Sequence, residues 1–246
     1  MKSLKVAVAQ IPSVKGDVDE NVKMHLLAIK KASKEKVDYL VFPELSLIGY
    51  EPELAKKLAF SKSDVRLEPL IEAAVKNDIT LAIGAPIESS DLPKIGLFII
   101  TNTGEIEVYE KMFLHQGEEL FFSKGDKPYM LSVADSQIAN AICADTNNPE
   151  HVQVYAQLGA DVYIAGVLIS EGGYDADTAI LAGYAKQFNM LVAMANHNKP
   201  SGNWKPIGRS AIWSNKGLLA CANETENALI IAEKLDENWV AEVVVL

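Results

Sequence analysis

The amino-acid sequence predicts an α/β fold in which helices cover two packed sheets of mixed strand direction. Short runs rich in β-branched residues alternate with longer stretches of helical periodicity over the first two-thirds of the 246-residue chain. One turn joins two adjacent strands as a hairpin, and the last part of the chain is nearly all strand. Strands separated by helices favour parallel pairing, whereas hairpins pair antiparallel. We therefore expect mixed sheets within a single domain over residues 1–246.

The first half of the chain begins with a strand and an amphipathic helix. Val22, Leu26 and Ile29 recur near one stripe of that helix, and the turn at residues 102–104 (Asn-Thr-Gly) makes the later hairpin. In order, the pattern predicts strand Leu4 to Ala9, helix Val18 to Lys34, strand Asp38 to Phe42, helix Asp64 to Asn77, and strands Ile79 to Ile83, Ile95 to Thr101 and Ile106 to Tyr109.

A polar loop from Glu110 to Lys127 then interrupts the alternation, and a break of that length is usually functional. Gly172 and Gly173, farther along, are interpreted as loop residues. The second half predicts strands Tyr129 to Val133 and Ile138 to Ile142, helix Glu150 to Leu158, strand Val162 to Val167, helix Asp175 to Phe188, strand Met190 to Ala195, and final strands Ile207 to Trp213, Gly217 to Ala222, Ala228 to Ala232 and Trp239 to Val245.

Charge and hydropathy narrow the class of protein. The chain carries 23 Lys and Arg against 33 Asp and Glu, a formal net charge of −10, which disfavours nucleic acid and anionic membranes as partners. No apolar run approaches the roughly 20 residues that span a bilayer, and no signal-peptide cleavage site follows the N-terminus. Two cysteines without CxxC spacing are expected to be thiols. The sequence therefore predicts a soluble, cytoplasmic protein.

Three polar residues stand directly after apolar strands: Glu44, Lys111 and Cys143. Strand ends in α/β sheets gather catalytic groups, because the sheet fixes them while loops shape a pocket. Four apolar residues precede Glu44, so desolvation should raise its pKa and suit it to act as a base. A cap or a surface ion pair is the alternative for Glu44, and Lys111 is equally compatible with a solvated charge paired with Glu110.

Cys143 carries the most local information. Asn147 and the two residues before it are possible N-caps for a helix that begins near Pro149. A thiol at such a strand-to-helix turn lies near the positive helix end, which predicts a lowered pKa and available thiolate. A buried structural cysteine is the alternative for Cys143, and it is the preferred interpretation for Cys221.

These three residues stand in segments that together resemble a known family. The chain reads FPELSLIGY at 42–50, YEKMFL at 109–114 and ICADTNNPE at 142–150. The segments resemble the three signature blocks of the nitrilase superfamily of carbon–nitrogen hydrolases. The resemblance extends from KVAVAQ at 5–10 to GRSAI at 208–212. Three ordered motifs at fitting separations are a much more specific signal than any one of them.

The resemblance implies a four-layer α-β-β-α sandwich, usually dimeric or larger, with a Glu-Lys-Cys triad and no metal or organic cofactor. In this sequence Glu44 would be the general base, Lys111 the cationic stabiliser and Cys143 the nucleophile. The family often has a further acidic residue in the loop after the lysine. Glu118 is the preferred position for it, and Glu119 is the rival.

These residue types suit hydrolysis of a small non-peptide amide by water. A thiolate can attack the amide carbonyl while Lys111 and the backbone N–H of Ala144 hold the developing oxyanion. Glu44 would take the thiol proton, deliver it to the leaving amine to give a thioester, and then activate water. Glu118 would hold Lys111 and the substrate nitrogen in place.

Two departures from the family's pattern bear on the substrate. Phe113 stands where many members have His, and Asn147 stands where many have Arg. Because a neutral Asn does not pair with a carboxylate as Arg does, a neutral or weakly polar amide is the expected substrate. Tyr50, Phe113, Asn147 and Val167 are expected to line the pocket.

Other functions are compatible with the same residues. A nitrilase acting on a C≡N bond or an N-carbamoyl amidohydrolase would use the same triad, and a non-catalytic binding protein could share the fold. The four histidines lack the paired spacing of a metal site. His197 is interpreted as a polar loop residue rather than a base. A homodimer or higher homo-oligomer is expected by family analogy alone.

Overall fold

A computed structural model describes residues 3–246, and its elements follow the predicted alternation. Within this range the strands β1 to β13 span Lys5–Gln10, Tyr39–Val41, Thr80–Ile87, Lys94–Ile100, Ile106–Glu110, Met130–Val133, Ser136–Ile142, Val162–Val167, Leu191–Asn196, Ala211–Ser214, Gly217–Cys221, Ala228–Leu235 and Asn238–Val245. The helices α1 to α5 span Val18–Lys34, Pro52–Leu58, Glu68–Asn77, Pro149–Gln157 and Glu171–Phe188.

The strands form two mixed sheets, as the sequence predicts. Seven strands lie in the order β13-β12-β1-β2-β3-β4-β5, in which β1, β2 and β3 pair in parallel and the outer strands pair antiparallel. Six strands lie in the order β11-β10-β9-β8-β7-β6, in which β7, β8 and β9 are parallel. Each sheet therefore has a parallel centre, where neighbouring strands end at the same edge.

The two sheets pack face to face between layers of helix. Across the interface β1 contacts β9, β2 contacts β8 and β10 contacts β12. On the outer faces, α1 and α3 pack together and contact strands of the seven-stranded sheet, whereas α5 covers β9, β10 and β11. The result is the four-layer α-β-β-α sandwich that the resemblance implies.

Burial on both faces explains why the central strands are almost continuously apolar. β3 and β8 are buried along their whole length, because one face meets the other sheet and the opposite face meets helices. The edge strand β13 alternates instead between half-buried and exposed side chains over much of its length. No helix within residues 3–246 combines the length and the apolar character needed to cross a bilayer.

Element boundaries differ from the sequence prediction in two notable places. The pattern does not predict α2, although the proline at its first turn suits a helix start. α5 begins at Glu171 rather than Asp175, so Gly172 and Gly173 are helical and their interpretation as loop residues is wrong. A helical glycine costs about 1 kcal/mol relative to alanine, and packing of α5 on the sheet outweighs that cost.

Candidate active site

Strand ends from both sheets meet at one cavity. Glu44 lies beyond β2 and Lys111 follows β5 in the seven-stranded sheet, whereas Cys143 follows β7 in the six-stranded sheet. A cavity of about 260 Å³ is lined by Glu44, Glu118 and Cys143 among others. A larger cavity of about 470 Å³ near Ser136 contains neither these groups nor a thiol. The chemistry-bearing residues that the sequence singles out therefore converge.

Lys111 connects two carboxylates inside this site. Its Nζ donates to Glu44 Oε1 at 2.7 Å and to Glu118 Oε1 and Oε2 at 2.9 and 2.8 Å. Burial alone would lower the pKa of Lys111, but the negative charges of Glu44 and Glu118 and the hydrogen bond to Glu118 hold that pKa above its ordinary value. The ammonium therefore remains protonated although its side chain is fully buried.

Glu44 keeps one carboxylate oxygen free beside the thiol. Burial raises the pKa of Glu44 to about 7, with Lys111 opposing the rise and Glu118 adding to it. Oε2 has no hydrogen-bond partner in the described part of the chain, and the Cys143 thiol interacts with the same carboxylate. The raised pKa of Glu44 is the shift expected for a desolvated carboxyl group. A pKa near 7 suits a group that accepts a proton near neutral pH.

The Cys143 backbone sits in a sparsely populated conformation at the end of β7. Its φ is 42°, in the left-handed region, where a non-glycine residue is strained by about 1 kcal/mol or more. The residue begins a short 3₁₀ helix, Cys143–Asn147, and Sγ lies 3.7 Å from the carbonyl oxygen of Leu168. The strained turn projects the thiol into the cavity between the two sheets.

The expectation of a lowered pKa at Cys143 is wrong. Burial raises the pKa of the thiol, the negative charge of Glu44 adds to the rise, and Lys111 opposes it only in part. The helix that was expected to lower it, α4, begins at Pro149 with Asn148 as its N-cap. Its dipole falls off within one turn and so does not offset burial. The resting thiol is protonated and needs a base.

Glu118, and not Glu119, reaches the lysine. The Glu118 carboxylate also accepts hydrogen bonds from Tyr50 Oη and from the backbone N–H of His115, each at 2.7 Å. Glu119 is exposed and accepts a hydrogen bond from the N–H of Gly117. Burial and the nearby carboxylates raise the pKa of Tyr50, which keeps its hydroxyl a neutral donor.

Asp145 ties the lysine segment to the cysteine segment. Oδ1 accepts hydrogen bonds from the N–H groups of Met112 at 3.0 Å and Phe113 at 2.9 Å. Oδ2 accepts from the Ile142 N–H at 2.9 Å and from Tyr109 Oη at 2.6 Å. The sequence suggests only a helix cap at this position. Its place two residues after the cysteine is the one signal that could have indicated this connecting role.

The predicted lining residues separate into two groups. Three of them line the cavity with the thiol: Tyr50, Ala144 and Asn147. Phe113 lines a different cavity, of about 150 Å³, beside His151. Val167 is wholly buried in the core on the helix side of β8, while the next residue, Leu168, lines the cavity. The difference between Val167 and Leu168 reflects side-chain direction, which alternates along an extended chain.

His197 is a loop residue after β9, as the sequence predicts, but it is buried and supports the backbone of Glu44. It is fully buried after β9, and its Nε2 lies 2.8 Å from the carbonyl oxygen of Glu44. Burial lowers the pKa of His197 to about 4, so the neutral ring donates its Nε2 proton to that carbonyl. Nδ1 has no hydrogen-bond partner among the residues described.

A thiol, an adjacent carboxylate and a held cation are the groups that hydrolysis by a cysteine nucleophile requires. The family model for carbon-nitrogen hydrolases matches residues 5–241, and the chain belongs to this family. The matched residues include Glu44, Lys111 and Cys143, and they cover nearly the whole chain.

Relatives and solved structures agree with this assignment. The chain is 28% identical over 243 residues to a glutamine-dependent NAD(+) synthetase of Aquifex aeolicus, covering 95% of this chain but only 42% of the synthetase. It is 28% identical over 201 residues to an (R)-stereoselective amidase of a Pseudomonas species, covering 78% and 70% of the two chains. An amidase structure from a Nesterenkonia species has a TM-score of 0.86 at 24% identity, over 95% and 90%, which shows the shared fold.

Proposed function

We propose that this protein is an amidohydrolase that cleaves the C–N bond of a small non-peptide amide through a thioester on Cys143. The observation that carries the proposal is the buried Glu44 carboxylate. It shares the Lys111 ammonium with Glu118 through one oxygen and leaves the other oxygen free beside the thiol. A carboxyl with a pKa of about 7 in that position can move a proton to and from sulfur.

The first half of the reaction forms the thioester. Glu44 takes the proton from Cys143 Sγ as the sulfur attacks the carbonyl carbon of the amide. Lys111 Nζ and the backbone N–H of Ala144 hold the negative charge on the carbonyl oxygen, each worth roughly 3–4 kcal/mol. The C–N bond then breaks, and Glu44 delivers its proton to the departing nitrogen.

The second half releases the acid. Glu44 takes a proton from water, the water oxygen attacks the thioester carbonyl, and the C–S bond breaks with return of the proton to sulfur. Glu118 remains bound to Lys111, Tyr50 and the N–H of His115. It therefore holds the ammonium in one position during both halves.

The cavity disfavours substrates that carry a carboxylate close to the amide. Among residues 3–246, neither an Arg nor a Lys lines it, and the neutral Asn147 stands in the turn after the thiol. An amide without such a carboxylate is therefore the proposed substrate. A cytoplasmic location and a homodimer or higher oligomer belong to the same proposal, and light scattering of the purified protein tests the latter.

Ammonia release from matched amides, nitriles and carbamoyl compounds tests the reaction. We expect the wild type to release ammonia from amides, Cys143→Ala to lose release almost completely, and Cys221→Ala to retain it. Hydroxylamine added during turnover should give a hydroxamate from the thioester. Full activity in Cys143→Ala would overturn the mechanism, faster turnover of the matched nitrile would make the enzyme a nitrilase, and no turnover of any compound would favour a binding protein.

A further inference from the structure

One carboxylate that lines the cavity has no role in the proposed reaction. Asp177 lies in the second turn of α5 and faces the same space as Cys143 and Asn147. It makes no ion pair within 4.0 Å with any Lys, Arg or His of the described segment 3–246. The nearby ammonium of Lys111 is engaged by two other carboxylates. The negative charge of Asp177 is thus available to a ligand.

The groups around Asp177 compensate its charge only weakly. The Asn147 side chain and His115 both interact with it, and neither is a permanent cation. Burial raises the pKa of Asp177, and the effects of Asn147 and His115 in lowering it are smaller. Desolvating a carboxylate without a cationic partner is unfavourable, so a ligand that brings a positive charge gains binding energy at this position.

An aromatic ring completes this end of the cavity. Trp204 lines it, and its ring meets the His115 ring edge-on with the centroids 6.1 Å apart. The face of an indole attracts ammonium groups. A carboxylate and an aromatic ring in one pocket are the combination that recognises an ammonium through both charge and apolar contact.

The chain sets the separation between this end and the reacting sulfur. The 3₁₀ helix that begins at Cys143 ends at Asn147, the residue that interacts with Asp177. Four residues at about 2 Å of rise each place the Cα atoms of Cys143 and Asn147 roughly 8 Å apart. An ammonium that is linked to the scissile carbonyl through a few methylene groups spans such a distance.

We infer that Asp177 determines specificity for an amide whose acyl chain ends in a primary ammonium, an ω-amino amide. The inference rests on the proposed amidase function and replaces the neutral substrate expected from the sequence with a cationic one. Asp177 contacts the ammonium, Trp204 packs against it, and Cys143 attacks the carbonyl at the other end of the same molecule.

The test compares 4-aminobutanamide with pentanamide, its uncharged analogue of the same length. We expect the wild type to have a kcat/KM about tenfold or more higher for the cationic amide, the effect of one hydrogen bond to a charged group. Asp177→Asn should bring the ratio of the two kcat/KM values close to one. Asp175→Asn removes an exposed carboxylate of the same helix that does not line the cavity, and it should keep the wild-type ratio.

An unchanged ratio in Asp177→Asn, or a wild-type ratio of one or less, overturns the inference. If neither amide is hydrolysed, the amidase proposal fails, and calorimetric binding of both amides to Cys143→Ala decides the role of Asp177 separately. Tighter binding of 4-aminobutanamide that is lost in the Cys143→Ala/Asp177→Asn variant upholds that role. Equal binding of the two amides, or binding of neither, overturns the proposed role of Asp177.

Discussion

At the scale of single residues, burial raises the pKa of both Glu44 and Cys143. The charge of Glu118 adds to the rise at Glu44, and the charge of Glu44 adds to the rise at Cys143. In the proposed mechanism, the reaction starts only when Glu44 is ionised and the thiol still carries its proton. Because the pKa of Glu44 is about 7, Glu44 becomes protonated and inactive as the pH falls below neutrality. We predict a kcat/KM that falls about tenfold per pH unit on the acid side, with an apparent pKa near 7.

Steady-state kinetics between pH 5 and 9 measure the acid limb of the kcat/KM profile directly. The exposed Glu119 offers a matched control, because Glu119→Gln removes a neighbouring carboxylate that contacts neither the lysine nor the thiol. That variant should show the same limb as the wild type. A rate that is constant from pH 5 to 8 would contradict the assignment of Glu44 as the base.

Substituting the accessory carboxylate provides the second prediction. Glu118→Gln removes a negative charge that holds the Lys111 ammonium. The glutamine amide has one acceptor oxygen, whereas both oxygens of the Glu118 carboxylate accept hydrogen bonds from Lys111 and one also accepts from Tyr50. A displaced ammonium stabilises the oxyanion less well, so kcat should fall roughly 100-fold. Steady-state kinetics beside Glu119→Gln, expected to be near wild type, check this. Equal effects of the two substitutions would contradict the role given to Glu118.

The sequence indicates the residues of the proposed triad better than it indicates their surroundings. Glu44, Lys111 and Cys143 can be recognised because each lies near a strand end within a distinctive segment. The pKa of a thiol depends on burial and on charges distant in sequence, which a local helix argument does not include. Asp177 is similarly hidden, because only the tertiary fold brings α5 to the cavity.

At the scale of elements, Asp145 joins two segments that are distant in sequence. Oδ1 accepts hydrogen bonds from the N–H groups of Met112 and Phe113. Oδ2 accepts hydrogen bonds from the Ile142 N–H and from a tyrosine hydroxyl. An amide in its place keeps one acceptor oxygen and presents an NH₂ group to donors. We predict that Asp145→Asn lowers the free energy of unfolding by about 3 kcal/mol and lowers kcat further than the lost folded fraction explains.

Urea unfolding and kinetics on the same samples test that prediction. Asp161→Asn is the control, because the half-exposed Asp161 carboxylate accepts a single backbone hydrogen bond, from Gln137, at the start of β7. Asp161→Asn should lower the free energy of unfolding by about 1 kcal/mol or less and leave kcat unchanged. Wild-type stability and activity in Asp145→Asn would contradict the proposal that this carboxylate positions the site.

Element type can be predicted for most of the chain, whereas element limits cannot. Strong periodicity indicates α1 and the hairpin of β4 and β5 without tertiary information. The start of α5 is different, because two adjacent glycines favour a loop and only packing against β9 to β11 makes them helical. Local propensity thus fails where long-range packing decides the conformation.

At the scale of the whole molecule, the backbone that carries Glu44 is enclosed by glycines from both sheets. A Cβ at Gly84 in β3 would lie 2.2 Å from the carbonyl oxygen of Pro43, and one at Gly166 in β8 would lie 2.5 Å from that of Phe42. Neither sheet could approach this segment so closely with a larger residue. The sequence predicts two packed sheets but not that a pair of glycines lets them enclose the Glu44 segment.

Replacing one of these glycines tests whether sheet packing sets the position of the base. Gly166→Ala pushes on the backbone at Phe42 and Glu44, so we predict a loss of 1–3 kcal/mol in the free energy of unfolding, roughly the cost of overpacking, and a fall in kcat of about 100-fold. Gly183→Ala is the matched control, because its Cβ meets nothing within 4 Å on the exposed side of α5. That control should gain about 1 kcal/mol of stability and keep its activity. Gly166→Ala could instead lose stability but keep its full kcat in the folded fraction. The glycine would then serve packing alone, and Lys111 and His197 would position Glu44 without help from the opposite sheet.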